Sequence, residues 1–343
     1  LSGGLGAMEL LNMFALMSNF VFVPALTYGS QLALGALGIT LVFGVLRFAN
    51  FAHGDLMAFG TMGVVLITYW LQAHGIGIDP LPTALLALPF GIALAVGASL
   101  LIDRTVYRFY RKRRAAPVIL VVASVGVMYV LNGLTRFVIG AEDQRFFDGA
   151  RFLISAGDFK DLTGLDEGVT IKLTQALTVV VAVLMVAALF WFLQKTRTGK
   201  AMRAYSDNED LALLSGISPD RVVAVTWIIA AVLATVAGTL YGLDKSFKPF
   251  VYFQLILPMF AAAIVGGIGQ PIGAIIGAYV VAFSEVMLTY AYKRALMYIG
   301  PEGWGPEGLM QILSTEYKFA ISFLILVFVL LVRPTGIFRG KVI

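Results

Sequence analysis

The chain has no cysteine and only two histidines, His53 and His74. Without cysteine there is no disulfide framework, no thiol nucleophile and no thiolate metal site. Two isolated histidines supply neither an HExxH pair nor a cluster with zinc-ligand spacing. A serine hydrolase inside a membrane needs a serine and a base on facing helices, and nothing marks Ser124 and His53 as such a pair. Gly199-Lys200 is followed by Ala201 and lacks the upstream glycine of a phosphate loop, so this chain does not bind ATP by that route. Charge is scarce as well. Only 13% of the residues are charged, against 59% hydrophobic. A soluble protein of 343 residues cannot hide that much apolar surface in one core.

Several stretches instead exceed the roughly 18 uncharged residues that mark a membrane span. The expectation is an all-α, polytopic transmembrane helical bundle of about eight or nine spans, some short or broken, forming one domain over residues 1–343. Spans are expected near 10–28, 31–46, 56–71, 83–102, 117–139, 173–193, 222–243 and 312–332. Gly29 and Ser30 are read as the turn between the first two. Residues 253–284 carry no charge and are interrupted by Gly266, Gly267, Gly269, Pro271 and Gly273. Residues 1–7 precede Met8 and read as an unstructured start. No basic region leads the first apolar run, so the first span is expected to direct insertion.

The net charge of +5 concentrates beside the spans, which argues for a lipid bilayer and against nucleic acid as its partner. Residues 104–114, 195–221 and 333–341 hold 14 of the 25 Lys and Arg, and Lys/Arg-rich short loops face the cytoplasm. Residues 141–172, more acidic than basic, then fall outside. Parity requires residues 253–284 to cross twice or not at all, as two short helices or a re-entrant hairpin. Counting back from Arg104 places the N-terminus, like the C-terminus, in the cytoplasm. Residues 47–55 then lie on the cytoplasmic side or partway into the membrane.

Two interruptions resemble each other. One contains Asn50, His53, Gly54 and Asp55; the other contains Gly266, Gly267 and Gly269. Each is a polar or glycine-rich turn leading into an apolar helix. Broken helices in corresponding halves of a membrane chain point to a solute path, and irregular backbone at membrane depth is tolerated where protein or a water-filled cavity satisfies it. The plainer alternative is close helix packing through glycine. His53 reads as a hydrogen-bonding residue at a helix break. Glu285, just past the uncharged run, is a candidate for a polar contact between helices. Arg47 is expected to snorkel to the interface.

Residues 195–221 are polar and patterned as short helices. Ala201, Ala204 and Tyr205 share one face, as do Leu211, Leu214 and Ser215. Asp207 can cap a second piece whose first turn carries Glu209 and Asp210. Gly216 suits the stop and Pro219 lies just beyond. The segment reads either as a solvated connector or as a docking element for a soluble partner, with small residues such as Ala204 and Ala212 fitting a cleft and Glu209 and Asp210 at the rim.

The run Gly38-Ile39-Thr40-Leu41-Val42-Phe43-Gly44-Val45-Leu46-Arg47-Phe48-Ala49-Asn50-Phe51-Ala52-His53-Gly54-Asp55, preceded by Tyr28-Gly29-Ser30, resembles the N-terminal signature of branched-chain amino-acid ABC transporter permeases of the LivH type. Thr198-Gly199-Lys200-Ala201-Met202-Arg203-Ala204 with Leu214-Ser215-Gly216-Ile217 is similar to the family's cytoplasmic loop. Val265-Gly266-Gly267-Ile268-Gly269 and the ending Arg333-Pro334-Thr335-Gly336-Ile337-Phe338 match as well. The resemblance implies a multi-pass permease subunit of an ATP-driven importer in the bacterial inner membrane, carrying branched-chain amino acids, other amino acids, urea or small carboxylates. It implies a homologous second permease, two cytoplasmic ATPase subunits docked on residues 195–221 and its counterpart, and a periplasmic solute-binding protein. ATP and Mg²⁺ would sit on the ATPases, with no cofactor in this chain. Residues 141–172 and 290–314 depart from the family as longer external loops. The rival reading is an ion-coupled secondary transporter, for which Glu285 and Asp55 are the fair coupling carboxylates.

Overall fold

The computed structural model describes residues 6–146, 151–299, 308, 310–333 and 335–338. Among them, nine helices are long and apolar enough to cross a membrane. The expected start at residues 1–7 falls largely outside the described residues, as do parts of the 290–314 loop and of the C-terminal basic stretch.

The first helix, α1, runs from Met8 to Leu46. Its 39 residues extend roughly 58 Å at 1.5 Å per residue, about twice a hydrocarbon core. The two expected spans are therefore one. Gly29-Ser30 does not turn the chain. Ser30 Oγ donates to the Leu26 carbonyl inside the helix and pairs with Tyr279 Oη at 2.9 Å. A Cβ on Gly29 would lie 2.5 Å from the Tyr279 ring. The pair marks a helix crossing, where a small residue lets a tyrosine lie against the backbone. Pro24, which has no N–H to give, follows a wider π-helical turn over Ser18–Phe22.

After α1 come α2 (His53–Ala73), α3 (Ala84–Lys112), α4 (Pro117–Ile139) and a short helix α5 (Ala156–Thr163) outside the spans. The helix α6 (Leu173–Lys195) leads into α7 (Arg197–Asp207) and α8 (Glu209–Leu214). Then follow α9 (Pro219–Asp244), α10 (Pro249–Gly266), α11 (Pro271–Thr289), α12 (Lys293–Ile299) and α13 (Thr315–Val332). Residues 253–284 thus cross twice, as α10 and α11. Strands Phe152–Ile154 and Ile171–Lys172 pair antiparallel beside α5. α3 continues ten residues past the expected end of its span, so the basic cluster begins on a helix rather than in a loop.

The two ends of the bundle are distinct. At one, Arg108 pairs with Asp220 at 2.7 Å and Ser206 Oγ donates to the Gly44 carbonyl at 2.8 Å. This is the basic face. At the other, the Asn12 carboxamide receives the backbone N–H groups of Asp166 and Glu167, and Asn19 receives that of Thr170. Glu167 in turn pairs with Arg294 and accepts from Tyr298. Residues 166–170 and α12 are therefore folded against each other and against the first turns of α1.

This corrects the expected N-terminal side. Merging two spans removes one crossing, so the start of α1 lies on the face of residues 141–172, opposite residues 195–221. A cysteine at Glu9 and one at Asp158 should react with an impermeant thiol reagent from the same side of the membrane, and one at Asn208 only from the other. The parent chain has no cysteine, so background labelling is absent. Shared labelling of Glu9 and Asn208 would refute the single long helix.

Candidate functional site

The first interruption begins at Arg47, which ends α1 with a left-handed backbone (φ 56°). The chain then turns inward. Phe51 N–H donates to Ser124 Oγ at 3.1 Å, and Asn50 Oδ1 accepts from Ala52 N–H and from the Tyr107 hydroxyl. Asn50 thus supplies the partners that irregular backbone needs at membrane depth. Asp55, in the first turn of α2, accepts from Asn132 Nδ2 at 2.7 Å. Asn132 lies roughly 22 Å along α4 from Pro117. α2 therefore starts inside the membrane, the partway position that charge counting allowed.

Asn50, His53 and Asp55 are each 3% exposed or less. The His53 ring fills the gap left by Gly38, where a Cβ would lie 2.5 Å from its Cε1. The Gly35 carbonyl faces that ring without reaching hydrogen-bond geometry, so His53 is held by packing rather than by the expected hydrogen bonds. Gly54 rests on the Tyr252 carbonyl. These four residues face the interior of this chain.

The second interruption is the turn between α10 and α11. Gly267 (φ 107°) and Gly269 (φ 83°) take backbone angles that L side chains disfavour. On either side the two helices touch backbone to backbone. A Cβ on Gly266 would lie 1.9 Å from the Gly273 carbonyl oxygen, and one on Gly277 would lie 2.1 Å from that of Ala262. The last carbonyls of α10 are capped by the C-terminal segment. Ile337 N–H donates to Val265 at 2.8 Å and Phe338 N–H to Gly266 at 3.1 Å. The ending motif and the glycine turn are one structure, a link that sequence spacing could not reveal.

The interruptions face each other across an apolar cleft of 460 Å³, bounded by Phe43, Arg47 and Phe48 on one side and Phe260, Ile264 and Ile268 on the other. A second groove of 260 Å³ joins Gly44, Arg203, Ser206 and Asp207 to Gly269 and Gln270. The open space thus falls to Arg47, Phe48, Phe260 and Ile268. Sequence reasoning had favoured the more polar neighbours. Only Gly269 of the candidate residues borders either space.

Glu285 is fully buried on α11. Ser322 donates to it, and Lys318 Nζ lies 3.7 Å away while sitting over the Tyr28 ring. This cluster ties α13 to α1 and α11. Removing one member of a buried ion pair costs about 3–5 kcal/mol, because the other is left uncompensated. Of the two carboxylates that an ion-coupled carrier would use, Asp55 accepts from Asn132 and Glu285 from Ser322 through one oxygen each, with Lys318 beside the second oxygen of Glu285.

The segment 195–221 is folded. Thr196 Oγ1 caps α7 by accepting from Gly199 N–H, and Asn208 Oδ1 caps α8 by accepting from Leu211 N–H. Asn208 takes the capping role expected of Asp207. Gly216 ends α8 at φ 79° and Pro219 opens α9, as expected. Met202, Tyr205 and Ala212 pack into the bundle beside Trp227 and Tyr107. Ala212 is 3% exposed and so offers no outer surface. Glu209 accepts from Tyr205 Oη at 2.6 Å. Burial, and then that carboxylate, hold the Tyr205 phenol above its usual pKa. Ala201 is half-buried; Ala204, Asp210 and Gly216 are exposed. The outward apolar surface is leucine. Leu214 is 84% exposed and Leu211 61%, on one helical face.

The family described as branched-chain amino acid transport system / permease component matches residues 21–330. The high-affinity branched-chain amino acid transport system permease protein LivH of Salmonella typhimurium is 33% identical over 317 residues, covering 91% of this chain and 92% of that one. A probable branched-chain amino acid transport permease protein LivH of Methanocaldococcus jannaschii is 30% identical over 324 residues, covering 93% and 92%. The permease protein LivM of the Salmonella typhimurium high-affinity system is 26% identical over 151 residues, 41% of this chain and 36% of that one.

The contact between α10 and α11 yields a direct test. Gly266→Ala places a methyl group inside the Gly273 carbonyl and should destabilise the chain by about 1–3 kcal/mol, the scale of core overpacking. Gly126→Ala should be neutral, because nothing lies within 4 Å of its added Cβ. Thermal unfolding of the detergent-purified variants measures the difference. Equal midpoints for the two would show that α10 and α11 do not touch as described.

Proposed function

This chain belongs to the family of branched-chain amino acid transport permease components, and from that membership we propose that it is the membrane-spanning subunit of an ATP-binding-cassette importer for branched-chain or closely related amino acids. The observation that carries the reading beyond family membership is the segment 195–221. It is capped, packed into the bundle, and presents Leu211 and Leu214 to solvent on the basic face. A carrier that works alone has no need of such a surface. In this reading residues 1–343 are one permease domain, and the basic face is cytoplasmic because short Lys/Arg-rich segments are retained on that side.

Two ATPase subunits, holding ATP and Mg²⁺, dock on this segment and on its counterpart in a second, homologous permease. The partial likeness to LivM, named as a permease of the same system as LivH in Salmonella typhimurium, supports a pair of unlike permeases. A solute-binding protein delivers cargo to the opposite face, where residues 151–172 and 290–299 form a folded surface in the periplasm of a bacterial inner-membrane system. The path runs where the two interruptions meet, and the groove joining Ser206 to Gly269 connects it to the docking segment. ATP binding biases two arrangements through contacts that differ between them.

Leu214→Asp tests the docking surface. A few central, well-packed residues carry most of an interface's energy, and losing one costs about 2 kcal/mol or more. The variant should insert normally but lose most co-purifying ATPase and ATP-driven leucine uptake in proteoliposomes containing both permeases, the ATPases and the binding protein. Ala212→Arg, by contrast, should damage the fold of the segment itself. Leucine uptake by this chain alone on an ion gradient, or full uptake by Leu214→Asp, would overturn the reading.

A further inference from the structure

On the far side of α4 from the cleft between the interruptions, α2, α3 and α4 enclose a groove of 620 Å³. Its walls include Phe59, Leu101, Thr105, Gly126 and Val130. It opens sideways: Leu101 is 62% exposed and Val130 61%. Apart from Thr105 and Tyr110, the walls are entirely apolar. On α3 the lining runs over Leu101, Thr105 and Tyr110, across the wider π-helical turn of Asp103–Tyr107, so the groove leads toward the basic face. Arg113 lies over the Phe109 ring at 4.0 Å.

The basic residues at that end are not equivalent. Arg111 is held by the buried carboxylate of Asp103, which also accepts from Trp227 Nε1, and Arg108 by Asp220. Arg104, Lys112, Arg113 and Arg114 form no ion pair among the described residues. A largely apolar groove thus leads toward cations that the chain's own carboxylates leave unpaired. Clusters of Lys and Arg at the end of a membrane span attract anionic headgroups, each charge contributing about 1 kcal/mol.

We propose that this groove is a binding site for an anionic phospholipid, with an acyl chain against Phe59, Leu101 and Val130 and the phosphate held by Lys112 and Arg113. The lipid fills a surface that would otherwise be a void between α3 and α4, and it fixes the basic end of α3 beside α9.

Native mass spectrometry of the full-length chain in its purified complex, equilibrated with equal amounts of phosphatidylglycerol and phosphatidylcholine, tests the site. The parent should retain phosphatidylglycerol in preference. Gly126→Trp, which projects into open space in the groove, should lose retained lipid of both kinds. Lys112→Gln with Arg113→Gln should lower the preference for phosphatidylglycerol about fivefold per charge, the equivalent of about 1 kcal/mol each. Equal retention of the two lipids by the parent, or unchanged phosphatidylglycerol on Gly126→Trp, would overturn the proposal. So would a Gly126→Trp complex that keeps its lipid but sheds a membrane subunit, because the groove would then be covered by protein.

Discussion

The contact on which the rest of the bundle depends is the one between the backbones of α10 and α11 at Gly266, Gly273 and Gly277. In lipid no water is available to separate two helices, and apolar side chains gain little by leaving hydrocarbon for each other. What holds helices together is close van der Waals contact and satisfied polar groups. Carbonyl oxygens lie where any Cβ at these three positions would be. That proximity aims Gly267 and Gly269 into the turn, and it leaves the end of α10 to be capped by Ile337 and Phe338. It also fixes the wall of the cleft formed by Phe260 and Ile264. α1 completes the arrangement. Its second half is buried nearly all round, and Tyr279 from α11 lies against its Gly29.

Several polar groups inside the bundle hold one helix to another or cap irregular backbone. Asp103 accepts from Arg111 and from Trp227, so a carboxylate at the membrane boundary joins α3 to α9. Asn50 and Ser124 stabilise the irregular segment before α2. Glu285 and Lys318 bring α13 to the bundle. Each sits where a helix ends, starts or bends, or where a peripheral helix must be held. Most of their partners come from distant parts of the chain, and Asn50, through Tyr107, joins the first interruption to α3.

The polytopic helical class, the break within residues 253–284 and the stop of the docking segment were legible in the sequence because they rest on local signals: length of apolar runs, and glycine beside proline. Whether that break makes two crossings or a re-entrant hairpin was left open by parity and is decided by α10 and α11. The turn at Gly29-Ser30 was misread for a physical reason. A small residue beside a serine carries the same local signal at a turn and at a helix crossing, and the arbiter, Tyr279, lies 249 residues beyond Ser30. Ala212 shows a similar limit. Helical periodicity says which residues share a face but not which face turns inward. The cleft is not legible in the sequence because its lining, Phe48, Phe260 and Ile268 beside Arg47, carries no polar signal that sets it apart from ordinary membrane-span residues. Of the polar candidates, Asn50 is a buried partner of broken backbone, Asp55 pairs with Asn132, and His53 packs into the space left by Gly38.

In the proposed mechanism the docking segment, the end of α1 and the Gly269 turn move as one body, so that motion of the ATPases reaches the cleft. Ser206 and Gly44 are the contact that tests this. A Cβ on Gly44 would lie 3.3 Å from Ser206 Oγ, within reach of a disulfide if both positions carried cysteine. The measurement is ATP-driven leucine uptake by the Gly44→Cys with Ser206→Cys variant in the reconstituted importer, before and after oxidation. If the segment and α1 form one body, the crosslink should form readily and uptake should persist. Loss of uptake on oxidation, restored by reductant, would mean that the segment must slide across α1 and would contradict the account.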